Sequence, residues 1–430
     1  MIHIWQRSKQ MARAVVLIVD GLRGDMVRPE LTPNLAALAA ASRHYPNHRG
    51  VFPSATRITS ASISTGCLPG AHGLQGNAIA IDEGQGLQAV SVGPPEFRER
   101  WRAATGRTLH RPTLTQVLKD KGGAVIHTNS SAGAAHMQDP DGHGTLFHRS
   151  GSWRPGFEPV TGDEHPAVAY DAGGDAEVTR RFCDWLRDGP VSALNLLWIC
   201  EPDHSQHVQE LGSADHLANI AGADSRAGEV MAAVQGLRDR GEDVLFIAGS
   251  DHGHETARSV VPVTEMLVEQ GFKESPVSSD VVLGSSGMGA LLYFAPEALS
   301  RVDDIAGWLR AQAWCGDVFA GEELAAAGHR VDTPMQIAFS MAKSGEANRF
   351  GVPGLGDVCG DPFSPKDSTG FGQHGGLGPY ETNPMLIVSG RGFATGVSDH
   401  QSSVTDITPT VLRHLDVDGP AMDGSPLQGL

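Results

Sequence analysis

Short apolar runs recur along the chain, separated by stretches with helical spacing. AVVLIV (14–19), AVIHT (124–128), ALNLLWI (193–199), DVLFIAGS (243–250) and PMLIVSG (384–390) are dominated by aliphatic and β-branched residues. They are apolar on both faces, which predicts buried strands of a parallel sheet. Between them, TPNLAALAAAS (32–42), PTLTQVLKDKG (112–122), DAEVTRRFCDWLRD (175–188) and ADHLANIAGADSRAGEVMAAVQGLRDR (214–240) read as helices. TPTVLRHLDV (408–417) predicts a last helix, with Thr408 as N-cap and Pro409 in its first turn. The alternation predicts an α/β fold, a doubly wound, mostly parallel sheet with helices on both faces.

The rhythm breaks over residues 258–360. Isolated strand-like pieces (DVVLG, ALLYF) and a helix (VDDIAGWLRAQ) give way to a Gly-rich loop around GVPGLGDVCGDP. This stretch reads as an inserted cap subdomain, leaving 12–257 and 361–430 as the catalytic core. A length of 430 residues suits one large α/β core with an insertion.

The net charge of −17 argues against a nucleic-acid scaffold, which needs a basic face. An acidic protein that takes an anionic substrate must gather local positive charge, and bound metal is one source. Five cysteines, an odd number without a CxxC pair, indicate neither a disulfide framework nor a thiolate zinc site. The start, MIHIWQRSKQMARAVVLIVDG, has basic residues before an apolar run, but that run is short and ends at Asp20. It reads as a first strand behind a ragged leader. No apolar stretch approaches the roughly 20 residues of a membrane span. The expectation is a cytoplasmic protein without a membrane partner, acting on a small molecule.

Candidate chemistry collects at strand ends. The first strand runs into Asp20-Gly21, ALNLLWIC into Glu201-Pro202-Asp203-His204-Ser205-Gln206-His207, and DVLFIAGS into Asp251-His252-Gly253-His254. Gly372-Gln373-His374-Gly375-Gly376 precedes the last strand. Open α/β sheets bind ligands outside the carboxyl ends of their strands. Asp and His together suit zinc and its neighbours. Asp203 and His207, four apart, share a face of one helical turn, and His374 makes a third ligand. Asp20, Asp251 and His252 make a second site. Two ions roughly 4 Å apart would clamp the oxygens of an in-line displacement. Taken singly, Asp20-Gly21 is more often a turn, and Asp203 with His207 a helix-surface pair. Together, at the edges of one sheet, they are poorly explained by coincidence.

The ordered pieces VVLIVDG, FPSATRITSASISTGCLPGAHGLQGN, EPDHSQH, SDHG and GQHGG resemble the nucleotide pyrophosphatase/phosphodiesterase branch of the alkaline phosphatase superfamily, which also holds phosphonoacetate hydrolase-like enzymes. The resemblance covers residues 13–257 and 370–415. It implies two zinc ions, one held by Asp203, His207 and His374, the other by Asp20, Asp251 and His252 with the Thr56 oxygen. It implies that Thr56, three positions after Pro53, is the nucleophile of a phospho-threonine mechanism, and that Asn77 contacts a phosphoryl oxygen. The other hydroxyls of the segment, Ser54, Thr59, Ser60, Ser62, Ser64 and Thr65, read as helix-start and packing residues. Zinc can activate a threonine hydroxyl, and a helix N-terminus at Thr56 favours an anion.

The chain departs from the nucleotide-cleaving pattern at Arg57, where an aromatic residue usually stacks on the base. A cation beside the nucleophile suits a second negative charge on the substrate, as in a phosphonate or phosphomonoester; a solvated helix-start arginine is the equal alternative. His254 and Glu255 read as loop polarity, with a ligand-orienting role second. His136, His143 and His148 read as a surface loop before a third metal site. Arg107 and Arg111 are outside candidates for a distal substrate group. Cys67-Leu68-Pro69-Gly70-Ala71 misses the sulfatase pattern by lacking its arginine, and no GxSxG elbow supports a metal-free serine hydrolase. The leading expectation is a two-zinc phosphodiesterase; phosphonate hydrolase or phosphomonoesterase follows, then a metal-dependent anion-binding protein that does not hydrolyse.

Overall fold

A computed structural model describes residues 12–363 and 366–429. The ragged leader read from residues 1–11 lies outside the described residues. Ten strands form the main sheet. Its centre comprises β1 (Arg13–Val19), β2 (Ala124–Thr128), β3 (Leu194–Ile199) and β4 (Val244–Gly249), in the spatial order β4-β1-β3-β2, all parallel. Thr145–Phe147 extends the parallel run beyond β2. β5 (Leu386–Ser389) pairs antiparallel with the outer side of β4.

The runs that lack polar positions are buried on both faces. In β1, Val16 and Ile18 pack with Ile58, Ile63, Ile407 and Val411 on one side. Val15, Leu17 and Val19 pack on the other with Leu35, Phe182 and Val230. The helices Thr56–Thr65 and Ile407–Leu415 thus cover one face, and Pro33–Ala41, Ala172–Asp188 and Ala214–Asp239 the other. The expected doubly wound architecture is present. Among the described residues no helix is long and apolar enough to cross a membrane, and all five cysteines are unpaired.

Four local expectations change. β5 is antiparallel, because the chain reaches it from the His374 loop at the carboxyl edge of the central strands and must run back. The 112–122 helix shrinks to Leu114–Leu118, capped by the Thr113 hydroxyl, and left-handed Gly122 and Gly123 end the segment. The last helix is Ile407–Leu415, and Asp406, not Thr408, is its N-cap. Thr408 is buried within it and bonds the Ile63 carbonyl. The Gly-rich 351–362 stretch contains a strand, Pro353–Cys359, because it finds backbone partners in Glu255–Val261 and Lys343–Ala347.

Those strands, with Gly372–Gln373, form a second, four-stranded sheet. A third joins Val281–Ser285, Gly289–Phe294, Met335–Met341 and Cys315–Ala320 in antiparallel pairs. Its 286–288 turn reaches the main core, where the Met288 amide donates to the His374 carbonyl at 2.8 Å.

Candidate active site

Strand register sets the first half of the site. Ile18 pairs with Gly249 and Val19 with Ile199, so Asp20 and Asp251 leave the sheet level with each other. Asp203 follows on the short helix Asp203–Gln206. All three carboxylates are buried. Each strand-end aspartate has one oxygen tied and one bare. Asp20 Oδ2 accepts from Trp198 Nε1 (2.9 Å) and Ser130 Oγ (3.1 Å), and Asp251 Oδ1 accepts from the Gly21 amide (3.0 Å). Among the described residues Asp20 Oδ1 and Asp251 Oδ2 have no hydrogen-bond partner, and they lie 3.7 and 3.1 Å from His252 Nε2.

The histidines close the other half. His254 Nε2 lies 2.8 Å from Asp203 Oδ1, His207 Nε2 3.4 Å and His374 Nε2 3.6 Å. The Glu255–Gln373 and Thr256–Gly372 pairings of the second sheet set His254 beside His374, with ring centroids 4.9 Å apart. Carbonyls orient two of the rings. His252 Nδ1 donates to Gly253 O (3.0 Å) and His374 Nδ1 to Ser54 O (2.8 Å), which turns each Nε2 toward the carboxylates. Close backbone approach requires glycine here. A Cβ on Gly253 would lie 2.2 Å from the Tyr380 carbonyl, and one on Gly375, at φ +108°, 1.6 Å from the Ser286 carbonyl.

The electrostatics are those of a cation site. Burial, then the charges of Asp251 and Asp203, push Asp20 well up; burial also raises Asp251. Asp203 stays well below the usual carboxylate range: burial works against its charge, but His207 and His254 outweigh it. Burial pushes His254 down to about 3; burial and then His252 and His254 depress His374. Acids that repel one another, beside histidine rings gathered against them, fit divalent transition ions. Among the described residues two groups can hold a metal, Asp203 with His252, His254 and His374, and Asp20 with Asp251 and His252.

All six residues expected as Asp/His ligands therefore gather at one edge, with His252 between the two groups. His207 lies outside the tightest group, with a third of its side chain exposed. His254 and Glu255, read as loop polarity, are fully buried. The missed signal for His254 was its alternation with His252 on a chain entering a strand. His136 and His148 are likewise buried rather than on a surface loop, and neither belongs to a metal-capable group among the described residues. Arg111 lines a separate small pocket with His329 and Arg330.

Thr56 opens the helix Thr56–Thr65, and its Oγ1 is 3.0 Å from His252 Nε2. Ala55 supplies no side-chain cap, so the first amides of this helix remain available to an anion. Most of the neighbouring hydroxyls hold structure. Ser54 Oγ bonds Gly376 O and Glu381 (each 3.0 Å), and Ser60, Ser62, Ser64 and Thr65 bond the Ala134 carbonyl, the His72 ring, and the Met137 and Ala61 carbonyls. Glu381 also accepts from the Gly376 and Gly378 amides; burial and then Glu255 push it up to about 8. Asn77 is pinned through its backbone by Ser286 Oγ (3.0 Å) and the Val92 amide (3.0 Å), while its side-chain oxygen is enclosed without a partner.

Residues 14–326 match the family model of the type I phosphodiesterase / nucleotide pyrophosphatases. The chain belongs to this family. Two solved structures share its fold. Murine ectonucleotide pyrophosphatase / phosphodiesterase 5, an inactive threonine-to-alanine form in complex with AMP, superposes with a TM-score of 0.66 at 16% identity, covering 96% of this chain and 97% of that chain. Phosphonoacetate hydrolase from Sinorhizobium meliloti 1021, in complex with phosphonoformate, gives a TM-score of 0.65 at 18% identity, covering 95% and 96%. No curated protein sequence matches the chain.

Proposed function

We propose that this family member is a metal-dependent phosphoester hydrolase, acting foremost on phosphodiesters, with Thr56 as nucleophile. The observation that carries this reading is Thr56 Oγ1 at the uncapped start of its helix, 3.0 Å from His252, beside the bare oxygens of Asp20 and Asp251. Asp20, Asp251 and His252, with the Thr56 oxygen, would hold one zinc ion. Asp203, His207 and His374, with His254 adjoining, would hold a second. Bound there, zinc supplies Lewis acidity that lowers the hydroxyl pKa and neutralises phosphoryl charge. Thr56 Oγ1 gives its proton to solvent water and attacks phosphorus, the leaving group departs with the bonding electron pair and takes up a proton from solvent, and a phospho-threonine ester forms. Water then hydrolyses that ester and restores the hydroxyl. The first helix amides and the Asn77 side-chain amide would meet the charge that builds on the non-bridging oxygens. Residues 258–360 form the cap of this proposal; their 286–288 turn supports the His374 loop.

The test pairs metal analysis of the pure protein with assays on bis-p-nitrophenyl phosphate, p-nitrophenyl phosphate, a nucleotide p-nitrophenyl ester and phosphonoacetate. Bound zinc, loss of turnover in EDTA and a preference for a diester are expected. Thr56→Ala is expected to lower kcat by about 10³-fold or more. Full activity in EDTA, or in Thr56→Ala, would sink the reading. Absence of phosphate or phenolate release from every substrate would favour anion binding without hydrolysis.

A further inference from the structure

Arg57 follows Thr56 in the first turn of the nucleophile helix. Its surroundings form a built slot. A Cβ on Gly93 would lie 3.0 Å from Arg57 Nη2, and one on Gly133 would lie 3.1 Å from Arg57 Cδ and 2.4 Å from the Val92 carbonyl. These two glycines, 40 residues apart, leave room for the side chain. The guanidinium makes no hydrogen bond or ion pair with any described residue, and its Nε is enclosed without a partner. Arg57 directly follows Thr56 in the first turn of the same helix, so its slot adjoins the candidate reaction centre. An arginine part-enclosed in such a slot, without a partner among the described residues, keeps its planar fork free for a carboxylate or phosphate.

We propose that Arg57 is a specificity residue that binds a second oxyanion of the substrate, a carboxylate or a second phosphoryl group, beside the phosphorus under attack. This rests on the hydrolase reading above and narrows its substrate class to phosphoesters or phosphonates that carry such a group. Asp361 does not take this role away, because it forms no ion pair with Arg57 among the described residues.

The test is equilibrium binding to the zinc-loaded Thr56→Ala protein, which separates affinity from turnover. Titration calorimetry compares methylphosphonate with phosphonoacetate, which adds a carboxylate, and with methylenediphosphonate, which adds a phosphonyl group. At least one of the larger probes is expected to bind about tenfold tighter than methylphosphonate. The probe that gains names the source of the second charge. Adding Arg57→Ala should abolish the gain, and Arg57→Lys should restore part of it. Equal affinities with Arg57 present, or a gain that survives Arg57→Ala, would overturn the proposal. The comparison among probes needs no Arg57 variant, so it decides even if that variant misfolds. If diesters are hydrolysed by the unsubstituted protein but the second charge brings no gain, only the Arg57 assignment falls. If no probe binds and no ester is cleaved, the hydrolase reading falls as well.

Discussion

The strand-end aspartates and the His254–His374 pair are held by different kinds of structure. Asp20 and Asp251 leave adjacent parallel strands at the same level, within a hydrogen-bonded register of six residue pairs. Their fixed oxygens are bonded by Gly21, Trp198 and Ser130. His254 and His374 come from segments 120 residues apart in the chain, joined by two strand pairings. The His374 loop is then held by local contacts: its ring to the Ser54 carbonyl, its carbonyl to the Met288 amide, the Gly375 and Gly376 amides to Ser54 and Glu381, and Gly375 against Ser286. A strand end shares its position with a whole sheet. A loop that depends on a few backbone approaches moves when one atom is added.

The widest effect is expected where the two halves meet. Asp203 Oδ1 lies within 3.9 Å of His207, His252, His254 and His374. Asp203→Ala should lower metal affinity more than about 100-fold, the upper range for an outer contact, as read by competition with a chelator. The next test sets two glycines against each other. Gly375→Ala must shift the His374 loop and should cost about 100-fold in metal affinity. Gly249→Ala, at the end of β4, meets its nearest neighbours at ordinary 3.6 Å contact and should cost about threefold or less. A reversed order would remove the distinction between the two halves.

A smaller, pH-dependent effect probes the loop side alone. Glu381 holds its proton up to about pH 8 in the fold, against an ordinary value of 4.5. The folded state therefore binds more protons across that window, and stability falls as pH rises from 4.5 to 8. Glu381 should therefore contribute a fall in the melting temperature of the metal-free protein over this range, and Glu381→Gln should remove that contribution, read as the difference between the two proteins' pH profiles. An equal slope in both proteins would assign the pH response elsewhere. The smallest effect is expected from Trp198→Phe, which removes one donor to Asp20. About tenfold weaker metal binding is expected, with the fold unchanged by circular dichroism.

Much of the fold was legible along the chain because burial on both faces leaves a continuous apolar run, and each central run is a strand. The same logic marked Asp20, Asp203 and Asp251, since a carboxylate just past such a run stands at the ligand-binding edge. His254 was hidden for the same reason in reverse. Its alternation with His252 ahead of Glu255–Val261 is too brief to mark burial, which comes from a partner 51 residues away. The direction of β5 was equally invisible, because an apolar run has the same composition whichever way it lies. Pro353–Cys359 was obscured by glycines, which lower strand preference but do not prevent pairing.

By itself, then, the sequence determined the layered α/β core and the set of Asp, His and Thr residues offered at its edge, since hydrophobic period and position after a strand are local properties. Tertiary structure alone decided which side chains share a neighbour. It placed His252 between the two groups, drew His254 against Asp203, and left Arg57 without a partner among the described residues, in a slot made by Gly93 and Gly133. These relations depend on distances between segments far apart in the chain, and such distances exist only once the sheets have paired.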